Sequence, residues 1–400
     1  MSIRAVANVD LDAIAHNCAR LLQALDGARL CAVVKADGYG HGAVECAAAA
    51  LGAGARWLAV ATVAEAEELR DAGIEAPILI MGALCDRHEI EWAIELRADI
   101  VVWRERSVEL AAKAAEPLST VARVHVKLDT GMGRLGTRDR EQAMRVIGAA
   151  AAAPSVCLAG VMTHFATADI PEDDGFFARQ LAAFGEWSAA VKAEHPDVLV
   201  HAANSAALLR APRKARFDMA RCGIALYGLD PFNRGPFAHD LRPALTLRSH
   251  VAEVKLCRAG ESTGYGRRFV AERDTHLGVL PIGYGDGFRR ALSGNADVLI
   301  GGARLPLVGT ISMDNVAVDL GPDPAALELC GAEAILIGAS GPDRITAEEL
   351  AGRIGTINYE ITCGLSPRVE RVHGSAPPAP SSVPANPSPA PPGPPAPADS

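Results

Sequence analysis

Residues Leu30–Gly42 read LCAVVKADGYGHG. The apolar run Leu30–Val34 fits a strand buried on both faces, and Lys35 stands at its C-terminal end before a glycine-rich loop. The same pattern repeats along the chain. Apolar runs at Trp57–Ala61, Ile78–Met81, Asp99–Trp103, Val121–Leu128, Leu158–Thr163, Val198–Ala202 and Phe217–Arg221 alternate with longer Ala- and Leu-rich helical stretches. Eight strand–helix units close most simply into a (β/α)8 barrel, which predicts an α/β protein with an N-terminal TIM barrel over residues 11–231. An open doubly wound sheet is the alternative. No GxGxxG follows the first run, and Gly38, Gly40 and Gly42 have the wrong spacing for a dinucleotide fingerprint.

Beyond Pro231 the long helical periods give way to short β-branched segments separated by Gly, Pro and Asp. They predict a mostly-β second domain over residues 232–374, with one helix at Thr346–Ile354 capped by Thr346. The strand-like run Ile3–Val9 has no place in the eightfold count, so residues 1–10 are expected to pair with the second domain. Of the 26 Pro, 11 lie in Ser375–Ser400, a stretch too poor in bulky apolar residues to offset its ordering entropy. It reads as a disordered, polyproline-prone tail.

The chain carries 39 basic and 48 acidic residues, a net charge of -9, which argues against nucleic acid as a partner. Nine scattered Cys with no CxxC read as small buried hydrophobes in a reducing compartment, with neither a disulfide framework nor a metal site. The N-terminus lacks a signal-peptide core, and no apolar run reaches the ~18–20 residues of a membrane span. The expectation is a soluble, cytoplasmic protein with no membrane partner. Only six residues are Lys and only five are Tyr, so the positions of those residues are informative.

In such a barrel the chemistry gathers at the C-terminal strand ends. Those ends carry Lys35, then Lys127, Asp129 and Arg134, then His164, then Asn204 and Ser205, then Arg221, Gly223 and Ile224. An average Lys at a strand end snorkels to solvent. One that leaves water loses its proton more readily, as a Schiff-base Lys must. Small residues after the seventh and eighth runs let backbone N–H groups approach a phosphate, although Ser205 alone would serve as a helix cap. A Schiff-base Lys with a phosphate cup points to pyridoxal phosphate (PLP), or to a phosphosugar aldolase. A second β domain has no evident use in an aldolase.

The segments AVVKADGYGHG, VKLDTGMGRLG, THFATAD, ANSAA, MARCGIALYG, GESTGYGRRF, PIGYGDG, GTISMDN and NYEITCGLSPRVER together resemble the alanine racemase family, over roughly residues 3–373. The resemblance implies a PLP enzyme that interconverts L- and D-alanine and supplies D-alanine for peptidoglycan, working as a head-to-tail homodimer. It implies that Lys35 carries PLP and acts as one base, and that Tyr265 is the second base, supplied across the interface. Arg134 and His164 match positions near that Tyr, where they would supply or relay positive charge. Arg221 matches the donor to the pyridine nitrogen. Tyr39, His164, Asn204, Ser205, Gly223, Ile224 and Tyr359 match cofactor-binding positions. Arg134 and Met313 match the carboxylate site, Tyr284 and Asp314 the access path, and Lys127 a Lys that several members carbamylate. Two departures stand out: Ser312 replaces a common Cys, and Gly285 a common Ala. The rival readings are a broader amino-acid racemase acting for instance on serine, a related decarboxylase, and a PLP-carrying binding protein. The last of these would lack a second domain.

Overall fold

The computed structural model of the chain describes residues 4–374. The proline-rich stretch Ser375–Ser400 lies outside those residues. Strand β1, Val6–Asp10, opens the chain and leads into the helix Leu11–Leu25, capped by the Asp10 carboxylate at the Asp12 and Ala13 N–H groups. Eight parallel strands then follow: β2 Arg29–Val33, β3 Trp57–Val60, β4 Ile78–Ile80, β5 Ala98–Val102, β6 Ala122–Lys127, β7 Val156–Met162, β8 Leu199–His201 and β9 Met219–Cys222. They close into a barrel through β2 and β9, where Cys31 lies opposite Arg221. Each of the eight apolar runs is one of these strands. Their continuous apolar character follows from burial on both faces, against the barrel interior and against the helical ring. The ring is started by good caps, such as Thr62 and Glu65, which form a reciprocal capping box on Val63–Asp71.

The second domain is built on a ten-stranded sheet. Its main path runs Glu253–Cys257, Thr275–Leu280, Val316–Gly321, Ala303–Val308, Asp297–Ile300, Glu333–Ser340, Leu245–His250, β1 and Glu370–Gly374. β1 pairs antiparallel with Leu245–His250 and parallel with Glu370–Gly374, so both ends of the described chain lie in this sheet. The helix Ala347–Arg353 has Thr346 as its cap. A second α-helix, Asn358–Cys363, corrects the expectation of only one. It spans six residues with no apolar period and no side-chain cap, which is why the pattern hid it.

The barrel interior is not uniformly apolar. Asp99, His125, His201 and Arg221 lie inside it, none more than 3% exposed. Successive residues alternate faces, so Arg123, His125 and Lys127 of β6 share one face. Gly160 on β7 makes the space: a Cβ there would stand 2.2 Å from Nδ1 of His125.

Candidate active site

Lys35 follows β2 and begins a turn whose backbone is left-handed. Ala36, Asp37, Gly38 and Tyr39 have φ of 53°, 51°, 57° and 55°. For residues with a Cβ this conformation costs about 1–2 kcal/mol each, so the turn needs outside support. Glu65 gives some: its carboxylate accepts from the N–H of Ala36 (2.7 Å), Ala61 (2.7 Å) and Thr62 (3.1 Å). Buried His41 gives more, with Nδ1 facing the carbonyls of Gly38 (3.1 Å) and Tyr39 (3.0 Å) and its ring 4.5 Å from that of Tyr227. Burial holds His41 neutral, pushing it down to about 4. Desolvation and then the Arg134 charge lower the Lys35 ammonium from its ordinary value, against an opposing pull from Glu65.

Tyr39 carries this turn to the cup. Its ring lies 5.1 Å from Tyr227 and 6.0 Å from Tyr359, and burial raises its hydroxyl above the ordinary phenol range. Only glycine at 223 admits it, since a Cβ there would stand 2.2 Å from the Tyr39 hydroxyl. Ser205 Oγ accepts from the N–H of Gly223 (3.2 Å) and Ala225 (3.4 Å), next to buried Ile224. Asn204 Oδ1 caps the helix Ser205–Arg210 through Ala207 N–H (2.9 Å). With Asn204 as cap, the Ser205 hydroxyl is left for the cup.

Arg221 lies at the barrel's centre. Nη1 donates to His201 Nδ1 (2.9 Å), and Nη2 faces the Thr163 carbonyl (3.0 Å), the Ala202 carbonyl (3.1 Å) and His164 Nδ1 (3.2 Å). Full burial pushes the guanidinium down to about 10, which leaves it charged at neutral pH. His164 is lowered well below 6.5, first by burial and then by the Arg221 charge. That favours its neutral form over the positive charge the resemblance implies there.

Behind Arg221 the contacts continue. His201 Nε2 meets His125 Nδ1 at 2.8 Å, His125 Nε2 meets Asp99 Oδ2 at 2.9 Å, and Arg123 Nε donates to Asp99 Oδ1 at 2.9 Å. Lys127, 5% exposed, is pushed down to about 8 by burial and by the Arg221 and Arg134 charges. Arg134 is exposed on a loop braced by Asp129, whose carboxylate accepts from Gly131 and Gly133 N–H and from Arg138.

The remaining candidates lie on the second domain. Tyr265 tops a short hairpin, Ser262–Thr263 with Phe269–Val270, and is 74% exposed. Thr310 Oγ1 donates to its carbonyl at 2.7 Å. Tyr284 is 42% and Met313 51% exposed. Their loops are joined by Gly285 N–H to the Met313 carbonyl (2.9 Å). Asp314 accepts from Arg368 Nη2 at 2.6 Å in a cluster with Arg4 and Asp286. At Gly285 a Cβ would stand 2.5 Å from Arg368 Nη1, so Ala there would require that Arg to move. Ser312 Oγ donates to the Asn315 carbonyl (2.7 Å) within its own turn.

Two family profiles match the chain: "Alanine racemase, N-terminal domain" over residues 9–231 and "Alanine racemase, C-terminal domain" over residues 244–373. The chain belongs to the alanine racemase family. Alanine racemase 1 of Bacillus subtilis is 40% identical over 374 residues, covering 92% of each chain. The crystal structure of the alanine racemase from Streptomyces lavendulae, a D-cycloserine producer, superposes with a TM-score of 0.86 at 39% identity, covering 94% of this chain and 98% of that one. The Bacillus anthracis alanine racemase structure with bound L-Ala-P gives 0.84 at 37% identity, covering 93% and 95%.

For a member of the alanine racemase family, four supporting residues escaped the sequence reading. Asp99, His125 and His201 sit inside the apolar runs that predict strands, and a titratable residue within a doubly buried strand is the signal that marks them. Tyr227, fully buried, donates to the Val33 carbonyl (3.0 Å) and so pins β2 two residues before Lys35.

Proposed function

We propose that this chain is a PLP-dependent alanine racemase that interconverts L- and D-alanine with two bases. The observation that carries the reading is the pairing of Lys35, its ammonium destabilised by burial, with a buried Arg221 at the end of the neighbouring strand. The donor set fits PLP. Lys35 offers an amine for a carbonyl, Arg221 a donor for a ring nitrogen, and the hydroxyls of Tyr39, Ser205 and Tyr359 with the Ile224 N–H a cradle for a phosphate. The space that glycine leaves at 223 puts the Tyr39 hydroxyl in that cradle. When bound, PLP supplies an electron-withdrawing ring that acidifies the Cα–H of an amino acid. Arg221 donates without yielding a proton, which moderates that withdrawal and disfavours transamination.

Lys35 in its neutral form takes or returns the proton on one face of Cα. Inversion needs a group on the other face, and Tyr265 of a second subunit fills that role in this proposal. Its 74% exposure on the second domain, where Tyr284 and Met313 are also exposed, supports a homodimer whose sites are completed across the interface. Arg134 and the Met313 backbone hold the substrate carboxylate, and Tyr284 and Asp314 line the approach. The D-alanine formed feeds peptidoglycan.

The test is incubation of the PLP-loaded protein with L-alanine in D2O, following optical rotation and deuterium at Cα. Loss of rotation with deuterium incorporation is expected. Absence of exchange sinks the reading, exchange with CO2 release marks a decarboxylase, and equal turnover of serine marks a broader racemase. Tyr265→Phe should keep the cofactor's visible absorbance and lose racemisation.

A further inference from the structure

We infer that Arg371 and His373, on the last described strand, are positioning residues that hold the left-handed Lys35 turn from the second domain of the same chain. The inference rests on Lys35 and Tyr39 being the cofactor-holding residues proposed above. Four consecutive left-handed residues, three of them bearing a Cβ, do not hold themselves. The barrel braces the start of the turn through Glu65 and His41. The end of the turn is held from elsewhere. Arg371 Nε–H donates to the Gly40 carbonyl (3.2 Å), and His373 Nε2–H donates to the His41 carbonyl (2.7 Å).

The two glycines there are sized for these contacts. A Cβ on Gly40 would stand 2.2 Å from the Thr362 carbonyl oxygen, and one on Gly42 would stand 2.4 Å from His373 Nε2. Both also have positive φ, 83° and 93°. The other nitrogens of Arg371 reach the segment that follows Tyr359. Nη1 donates to the Ser366 and Val369 carbonyls (both 2.6 Å) and Nη2 to the Leu365 carbonyl (2.8 Å). One donor-only guanidinium therefore joins the turn carrying Lys35 and Tyr39 to the segment carrying Tyr359, a task its rigid fork suits and a Lys would not. Arg371 and His373 alternate with exposed Val372, so both face the barrel, and their register is set by β1, where Ala7 lies opposite Arg371 and Val9 opposite His373.

A mere tie-down of the chain end would affect stability and nothing else. The experiment separates the two. His373→Leu, His373→Gln and Arg371→Ala are compared with wild type as apoprotein and during PLP titration. Hydrogen exchange is read at the Gly38, His41 and Gly42 amides, and PLP affinity by absorbance. His373→Leu and Arg371→Ala should each speed exchange at those amides and raise the PLP Kd by about tenfold, the scale of one charge-assisted or buried hydrogen bond, with barrel-strand amides unchanged. His373→Gln, which keeps a donor, should restore both. If melting temperature falls while loop exchange and PLP affinity stay at wild-type values, the positioning role is overturned. If Arg371→Ala does not fold, the His373 pair decides alone. Failure of wild type to bind PLP would remove the cofactor reading, while exchange in the apoprotein would still report on the clamp.

Discussion

Arg221 donates from Nη1 to Nδ1 of His201 at 2.9 Å, and this contact sets the direction of every hydrogen bond behind it. Arg has no acceptor and a carboxylate has no donor. His201 must then be protonated on Nε2 and donate to His125 Nδ1, and His125 must donate from Nε2 to Asp99. The row crosses the barrel interior from half-exposed Arg123 to the site. It holds Arg221 in place while keeping His201 neutral, in line with a pKa lowered by burial and the Arg221 charge.

Nitrogen-15 spectra of wild type should therefore show His201 as a single Nε2–H tautomer between about pH 5 and 8, where a free His would titrate. His201→Leu leaves an Arg221 donor buried without its acceptor. It should cost about 1–3 kcal/mol in urea unfolding and lower kcat. A doubly protonated His201 near pH 6 would contradict the arrangement.

Lys127 allows a test with a definite sign. Its pKa is about 8 in the fold, against ~10.4 for a free Lys. Between those values the unfolded chain binds more protons, so this group makes stability rise with pH through that window. In CO2-free buffer Lys127→Met should be more stable than wild type at neutral pH, and the gain should vanish toward about pH 10. A lowered pKa also leaves more neutral amine to attack CO2, releasing one proton and forming a carbamate beside Arg221 and Arg134. Bicarbonate should then add the mass of one CO2 to wild type and none to Lys127→Met. A pH-independent stability difference would remove the burial argument.

Gly223 should tolerate no side chain. An added Cβ would press on the Tyr39 hydroxyl at 2.2 Å, and overpacking of this kind costs about 1–3 kcal/mol. Gly223→Ala should weaken PLP binding by about ten- to a hundredfold in a titration. Adding Tyr39→Phe should recover part of that loss. A double variant no better than Gly223→Ala would show that the clash lies elsewhere.

How much of this was legible beforehand depended on periodicity. All eight barrel strands were, because a strand buried on both faces must be continuously apolar, and LCAVV or ILIM has no other comfortable place in a soluble fold. Lys35, Tyr39 and Arg221 were legible as polar residues at the ends of such runs. His125 and His201 were not, because inside VARVHVKL and VLVHA they look like interruptions of an apolar pattern, and only the closed barrel sets them face to face. That Asn204 and not Ser205 caps the helix was equally hidden. Both are good caps, and which one caps depends on where the helix starts, a matter of one residue. The left-handed turn after Lys35 was marked by its glycines, but Ala36, Asp37 and Tyr39 adopt the same conformation without any sequence sign.

The last prediction concerns Tyr265, 74% exposed in its own chain. If it serves the Lys35 of a second subunit, inactive Lys35→Ala and Tyr265→Ala chains should complement. After unfolding and refolding together, random pairing makes about half of the dimers mixed, each with one site intact and one doubly altered, so about a quarter of all sites recover. Had both residues served within one chain, every site in the mixture would carry one substitution and the activity would stay at zero. The fraction regained in a racemisation assay therefore decides between a shared and a private site without any structure of the dimer.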